Sequence, residues 1–327
     1  YNAVQYIDTA ITSVLSQTYT NFELIIVDDG ATDGTSEICK NYSIQDARIK
    51  YIRQSNGGIC KARNKGIELA TGKYIAFSDH DDEYQPDYLE LMVKKAVDDD
   101  LDIIKCGVYF DETYSDGKRI VREETFKEEI WSQKDLVKRY ISLPVAFGGV
   151  WNTLYRASIL QMNGIRFPEF IYHGQEDFYF NTELILYINN IGFINKCLYR
   201  HYRRLSQSTS AKFYEDRIDA MCAFFRLEQK VLKPFFNGQD WKKVLSAIYS
   251  QKIAGILSYC FRTANPQKER NARLAIEKFM NVNHYEYGKS VLSCALHTKN
   301  IKYFLVLYLA VHRYYRLLFY LWKIKNK

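Results

Sequence analysis

Between residues 4 and 97 the chain alternates helical periods with short apolar runs, joined by brief polar turns. Such an order commits a chain to a parallel sheet covered by helices, because strands buried on both faces need a layer on each side. Val4, Ile7, Ile11, Val14 and Leu15 recur at helical spacing, so a first helix is expected over residues 4–16. Residues 22–27 read as a strand running into Asp28-Asp29-Gly30. Thr32, Asp33 and Thr35 suit a helix start, with the helix reaching about Asn41. A strand over residues 49–53, a Gly-containing turn over 54–58 and a helix over 59–69, closed by Thr71-Gly72, come next. A third strand, residues 74–77, runs into Ser78-Asp79-His80-Asp81-Asp82, and Pro86 then opens a helix to about Val97.

Beyond that point a strand is expected over residues 103–110 and a hairpin or exposed insertion over 111–129. Ser132 starts a helix towards Ile141; a short helix follows over 157–162 and a longer one over 178–188. Residues 198–202 read as a last strand, and 203–210 as a polar loop. After Ala211 the pattern becomes helical, over residues 213–232, 240–262, 267–280 and 299–323, with Pro234 and Pro266 as breaks. Two domains are therefore expected, residues 1–210 and residues 211–327. The 327 residues, 47% of them hydrophobic, suffice for cores of this size. Tyr1-Asn2 opens the chain with no strand before the first helix, so a preceding strand is expected to be missing.

Seven cysteines are scattered, odd in number and never in a CxxC pair, which points to a reducing compartment and away from a disulfide framework or structural zinc. No signal peptide opens the sequence. The net charge of +7 is uneven: residues 301–327 hold Lys302, Arg313, Arg316, Lys323, Lys325 and Lys327 with no Asp or Glu. The apolar run at 304–310 is broken by His312, Arg313 and Arg316 before 317–322, too short to span a bilayer. A basic, aromatic helix in the plane of an anionic membrane surface fits residues 299–327. Packing into the core of the C-terminal domain is the plainer alternative. Nucleic acid is not expected, because the rest of the chain has no basic face or nucleic-acid motif.

Asp79, Asp81 and Asp82 stand at a strand end, where open α/β sheets bind ligands. Carboxylates this close repel one another unless a cation or a ligand's donors compensate. In an extended segment Asp79 and Asp81 share a side, so one can hold a metal while the other meets a sugar or ribose hydroxyl. Mg²⁺ and Mn²⁺ prefer oxygen, which makes His80 a bystander. Asp29 can accept from a base or ribose edge, or merely cap its turn. The glycines of Asn56-Gly57-Gly58 let a ligand approach, and of Lys61, Arg63 and Lys65 after them Arg63 is the expected anion-facing residue. Glu176 and Asp177 suit a helix start through its dipole; a carboxylate there can also act as a general base.

These motifs, with Ser13-Val14-Leu15-Ser16-Gln17-Thr18, Ala62-Arg63-Asn64-Lys65-Gly66 and Gly72-Lys73-Tyr74-Ile75-Ala76-Phe77 in the same order, resemble glycosyltransferase family 2 across roughly the first 210 residues. The resemblance implies an α/β, GT-A (Rossmann-like) fold: a mixed, mainly parallel sheet flanked by helices, followed by an α-helical C-terminal region. It implies an inverting sugar transfer from a nucleotide-sugar, most often a UDP-sugar, to a hydroxyl of a glycan or lipid-linked acceptor. Asp29 and Arg63 correspond to nucleotide-binding residues, Asp79 to the acid near ribose and donor sugar, and Asp81 to the ligand of a divalent cation, Mn²⁺ or Mg²⁺. Asp177 corresponds to the catalytic base. His201 resembles a further metal ligand, and Trp151, Glu176, Arg203 and Arg204 resemble acceptor or pyrophosphate contacts. Two departures are visible: relatives usually begin one strand earlier, and they often read Asn-Lys-Leu-Tyr where this chain has Asn152-Thr153-Leu154-Tyr155. The implied setting is bacterial surface polysaccharide assembly by a cytoplasmic enzyme, peripheral on the inner membrane face.

Rival readings lack their motifs. A pyrophosphorylase needs a Gly-rich, Arg-containing phosphate loop near its start, and a dinucleotide oxidoreductase needs GxGxxG after the first strand; neither is present. A non-catalytic carbohydrate-binding protein of the same fold is the remaining alternative, but it is expected to lose the acids that this chain keeps.

Overall fold

The computed structural model describes residues 1–114, 116–142, 148–204, 212–262, 267–282 and 301–325. The chain divides into two compact units. The first holds Tyr1–Lys138, Pro144–Tyr172 and Glu176–Gln207; the second holds Ser208–Lys327 with the short pieces Arg139–Leu143 and His173–Gln175.

In the first unit, α1 (Ile7–Leu15), β1 (Leu24–Asp28), α2 (Thr35–Gln45), β2 (Ile49–Arg53), α3 (Ile59–Leu69) and β3 (Tyr74–Ala76) follow in the expected alternation. They continue with β4 (Glu83–Tyr84), α4 (Tyr88–Asp98), β5 (Ile103–Thr113), β6 (Arg119–Glu124), β7 (Ile130–Ser132) and α5 (Gln133–Arg139). The last elements are β8 (Thr153–Arg156), α6 (Ala157–Met162), α7 (Glu176–Leu184) and β9 (Asn190–Arg204). Seven strands form one mixed sheet with the path β3-β8-β5-β9-β4, while β6 pairs β5 and β7 pairs β9. Its longest ladder, β5 with β9, is parallel; its other pairs are antiparallel. Among the described residues β1 and β2 pair, in parallel, with each other alone. Helices flank these strands: α3 lies on β1, α2 on β2, α4 on β5 and β9, and α6 on β8.

Two pieces of the fold differ from the sequence expectation. The last strand is far longer than residues 198–202, because Ile191, Phe193 and Ile194 continue it inward, all buried. Gly192 admits this course: a Cβ there would lie 2.3 Å from the Leu101 side chain. The helix expected over residues 178–188 instead opens at Glu176 and stops at Leu184, so both acids occupy its first turn. Strands β4, β7 and β8 are short, with little alternation to reveal them.

The core beneath the acidic stretch is aromatic. Tyr84 stacks on Tyr88 at 4.0 Å between ring centroids, and both are buried with Met92, Ile104, Leu198 and Tyr199. Phe77 packs edge-on against Tyr155, Phe167 and Phe180, which fixes the strand just before Ser78.

The second unit is helical: α8 (Asp216–Leu232), α9 (Gly238–Arg262), α10 (Lys268–Val282), α11 (Ile301–Val311) and α12 (Tyr315–Lys325). Phe225, Tyr249 and Phe279 meet at its centre. Buried Glu228 pairs with Lys252 at 2.8 Å and accepts from the Tyr140 hydroxyl at 2.9 Å. The single helix expected over 299–323 is two helices, parted at Arg313, whose φ of 59° is left-handed. Residues 299 and 300, Pro266, Cys294 and the loop at 205–210 lie outside the described residues. The six other cysteines are buried and form no disulfide.

The β5–β9 ladder shifts register at Gly107, and a Cβ there would meet the Glu124 carbonyl oxygen at 2.8 Å. Gly107→Ala must therefore move backbone, so it should cost about 1–3 kcal/mol in urea unfolding. An unchanged midpoint would show that the bulge tolerates a side chain.

Candidate active site

The acidic stretch leaves β3, and Arg63 on α3 reaches it from below. Its Nη2 donates to Asp79 Oδ1 at 2.9 Å, its Nη1 donates to Asp177 Oδ1 at 2.6 Å, and Glu176 Oε1 lies 3.6 Å from Nη1. The guanidinium stands 5.1 Å over the Phe167 ring and is only 9% exposed. One cation thus gathers three acids from two distant segments. Lys61 and Lys65 lie on another face of α3, where with Gln54, Asn56 and Gly57 they line an open cavity of about 780 Å³.

Burial opposes the charge on Arg63, but Asp177, Asp79 and Glu176 together outweigh it and hold its proton more tightly than usual. The acids feel burial in the other direction. Burial, then the charge of Asp177, pushes Glu176 up to about 7. Burial also raises Asp177, with Asp79 adding to the rise and Arg63 opposing it. Asp177 Oδ2 accepts the Val150 amide at 3.4 Å. A carboxylate with a raised pKa and lone pairs to spare is a stronger base than an ordinary one.

The neighbouring acids have separate partners. Asp81 Oδ2 lies 3.2 Å from Arg204 Nη1, and its side chain is 33% exposed. Arg204 is in turn held 3.9 Å over the Tyr6 ring. Asp82 is buried: it accepts the Tyr199 hydroxyl at 2.9 Å, His201 Nδ1 at 2.8 Å and the Tyr202 amide at 2.8 Å. Burial works against a charged His201, but the hydrogen bond and charge of Asp82 prevail and raise its pKa. The imidazole lies flat on Trp151, centroids 5.1 Å apart. His80 is exposed.

Asp29 is buried and engaged by the protein itself, accepting Gln54 Nε2 at 2.8 Å and the amides of Gly57 at 2.9 Å and Gly58 at 2.8 Å. It ties the end of β1 to the turn before α3. Gly30 makes that approach possible, since at φ 78° its Cβ would come within 3.0 Å of the Asn56 nitrogen. Arg203 is spent on Glu112 at 3.0 Å, which it shares with Arg122. The structure therefore brings Arg63, Asp79, Glu176 and Asp177 together, sets Asp81 beside Arg204 and His201 beside Trp151, and engages Arg203 elsewhere. Sequence reasoning left Asp82 without a role and missed Tyr199, whose hydroxyl reads only as part of an apolar strand.

Among the described residues no three His, Cys, Asp or Glu side chains gather to hold a metal ion. Asp81 is a partly exposed carboxylate whose second oxygen can take a further partner beside Arg204, and the fixed Nδ1 of His201 leaves Nε2 as the ligating nitrogen, as in many metal-binding histidines. Such a donor set fits a cation that takes its remaining ligands from phosphate and water, as Mg²⁺ and Mn²⁺ do.

Residues 1–162 match the model of glycosyl transferase family 2. EpsH of Bacillus subtilis (strain 168), named as a glycosyltransferase, is 30% identical over 288 residues, 86% of this chain and 79% of that protein. Glycosyltransferase GlyA of Streptococcus pneumoniae is 33% identical over 68% of this chain, which spans only 32% of that longer protein. Among solved structures, S. aureus TarS 1-349 in complex with UDP-GlcNAc superposes with a TM-score of 0.71 at 21% identity, over 97% of this chain and 89% of TarS 1-349, a likeness of fold. The chain belongs to glycosyltransferase family 2 and is a glycosyltransferase (EC 2.4) with the GT-A fold.

Proposed function

We propose that this enzyme transfers a sugar, with inversion, from a nucleotide-sugar to a hydroxyl of a glycan or lipid-linked acceptor in cell-surface polysaccharide synthesis. The observation that carries this reading is the Arg63 hub, which sets a candidate donor acid, Asp79, and a candidate base, Asp177, on one guanidinium. TarS, of the same fold, is seen with UDP-GlcNAc, and a UDP-sugar is the donor proposed for this chain.

Asp177 takes the proton of the acceptor hydroxyl as its oxygen attacks the anomeric carbon. The bond from that carbon to the nucleoside diphosphate breaks on the opposite face. Asp79 orients ribose and donor sugar, Asp29 shapes the nucleotide end of the site, and Trp151 and Glu176 border the acceptor. Arg204 meets the diphosphate as negative charge develops there, a role that its place beside Asp81 supports. A divalent cation held by Asp81 and His201, when bound, would add Lewis-acid stabilisation of the leaving diphosphate.

The second unit bears on location. Among the described residues no helix is long and apolar enough to cross a membrane. α12 buries Tyr315, Leu318 and Phe319 but exposes Leu317, Tyr320 and Ile324 along its other face. Arg313 and Arg316 are exposed beside that stripe. A face of this kind suits the headgroup layer of an anionic bilayer, which supports a peripheral enzyme on the inner face of the cell membrane.

Three measurements test this reading. Asp177→Asn should lower turnover about a hundredfold to ten-thousandfold while donor binding stays within about threefold, as read by nucleotide released from a UDP-sugar panel with Mn²⁺ and acceptor lipids; wild-type turnover in the variant would sink the base assignment. Glu176, raised on folding, stabilises the protein below its ordinary pKa of 4.5 and ceases to as the pH passes about 7, so stability should fall across that interval. Glu176→Gln should flatten that slope in urea titrations at stepped pH; an unaltered slope would assign it to other groups. In flotation with phosphatidylglycerol–phosphatidylcholine vesicles, the wild type should rise with lipid, and Leu317→Ser/Tyr320→Ser/Ile324→Ser should remain below. Equal partitioning of the two proteins would rule out α12 as the contact.

A further inference from the structure

Lys105 is the third residue of β5, 1% exposed, in a run of buried strand residues. Its register partner across the antiparallel ladder is Thr153, the first residue of β8. Opposed residues of such a pair lie side by side, and the Lys105 ammonium donates to Thr153 Oγ1 at 2.5 Å. It also donates to the carbonyl oxygens of Gly149 at 2.8 Å and Gly148 at 3.1 Å. All three partners are neutral. Burial pushes the ammonium down to about 7, while Cys106 beside it on β5 and Asp177 on α7 pull the other way.

A buried ammonium facing neutral oxygens is a costly way to fill a core. A methionine would occupy similar volume without that cost. What the lysine supplies is convergence: two successive carbonyls turn inward onto one nitrogen, so the Gly148-Gly149 turn has a single course. Gly149 adopts φ 63° there, and a Cβ on it would lie 2.9 Å from the Trp151 ring. A Cβ on Gly148 would lie 3.0 Å from Phe178 on α7. The residues that leave this turn are Val150, whose amide points at Asp177, and Trp151, which lies on His201. The turn is thus the chain segment that touches both halves of the candidate site.

We infer that Lys105 is a positioning residue, which pins the Gly148-Gly149 turn through its carbonyls and so sets the Val150 amide against Asp177 and Trp151 against His201. Its effect on catalysis rests on the glycosyl-transfer reading above; its effect on the turn does not. The side chain touches no reacting group, so its loss should appear in turnover rather than in donor binding.

The test uses the full chain with Lys105→Met, and with the exchange Lys105→Thr/Thr153→Lys, which brings an ammonium to the same place from the facing strand. Two readouts are followed: turnover of UDP-sugars with acceptor lipid, and acrylamide quenching of Trp151, isolated by difference from Trp151→Phe. Lys105→Met should keep or gain thermal stability, lose about tenfold to a hundredfold in kcat with donor KM within about threefold, and expose Trp151 to quencher. The exchange should restore both shielding and turnover. If Lys105→Met retains wild-type shielding and kcat, the inference is overturned. If that variant does not fold, the exchange decides: a folded exchange protein with Trp151 still exposed overturns it as well. A wild-type protein that turns over no nucleotide-sugar would sink the transfer reading instead, and the quenching result would still decide the role of Lys105.

Discussion

The Arg63 guanidinium is the interaction on which the first unit's site depends. Three carboxylates stand within 3.6 Å of it, from segments that share no secondary structure. Removing such a cation from a largely buried cluster leaves charges that nothing else neutralises, a loss that typically exceeds the value of the pair itself. The same burial that makes the cluster costly gives Glu176 and Asp177 their raised pKa values. Structural cost and chemical aptitude have one cause, desolvation, and Arg63 sets how far it goes.

A second layer of the site is built by strand register. β9 runs parallel to β5 with a shift at Gly107, and beyond it sends His201 to Asp82 and Arg204 to Asp81. Asp82 accepts three donors, one of them the Tyr202 amide of the same strand, so it fixes the strand end as well as the imidazole. Burial forces this economy, because an acid so enclosed must spend every lone pair it can. The tyrosine stack below, Tyr84 on Tyr88 with Tyr199 edge-on to Tyr84, gives the acidic turn a rigid floor.

Much of this was legible in the residues, and the remainder was hidden for physical reasons. Strands that end in acids and helices that start with small or polar residues announce themselves locally, so the alternation up to α4 could be read with boundaries off by only a few residues. Spacing shows only that Lys61, Arg63 and Lys65 cannot share one face of α3; the family resemblance singles out Arg63 among them. The partners of Asp82 could not be read locally, since Tyr199, His201 and Tyr202 follow it by more than a hundred positions along the chain. Lys196 interrupts the apolar pattern of β9 and hides its first half, and the left-handed φ that parts the last two helices at Arg313 has no signature in residue type, since arginine is not a helix breaker. Lys105 was invisible as anything but a strand residue: its meaning lies in the carbonyls it meets across the ladder.

Charge counting sharpens the proposed chemistry. Arg63 and Arg204 are each paired with a carboxylate, Asp79 or Asp177 in one case and Asp81 in the other. A nucleotide diphosphate brings negative charge into a region where both arginines already have partners. For Arg204 to turn to phosphate, Asp81 must find another positive partner, and a divalent cation is the partner its half-buried carboxylate would suit. In the proposed transfer, anion and cation would then stabilise each other's binding, since either alone leaves an unpaired charge beside the strand ends. By linkage that coupling is reciprocal: whatever the donor gains from the cation, the cation gains from the donor. Asp177 stands apart from this exchange, held by Arg63 and the Val150 amide, so the proposed base would keep its geometry while the charges around the donor are redistributed.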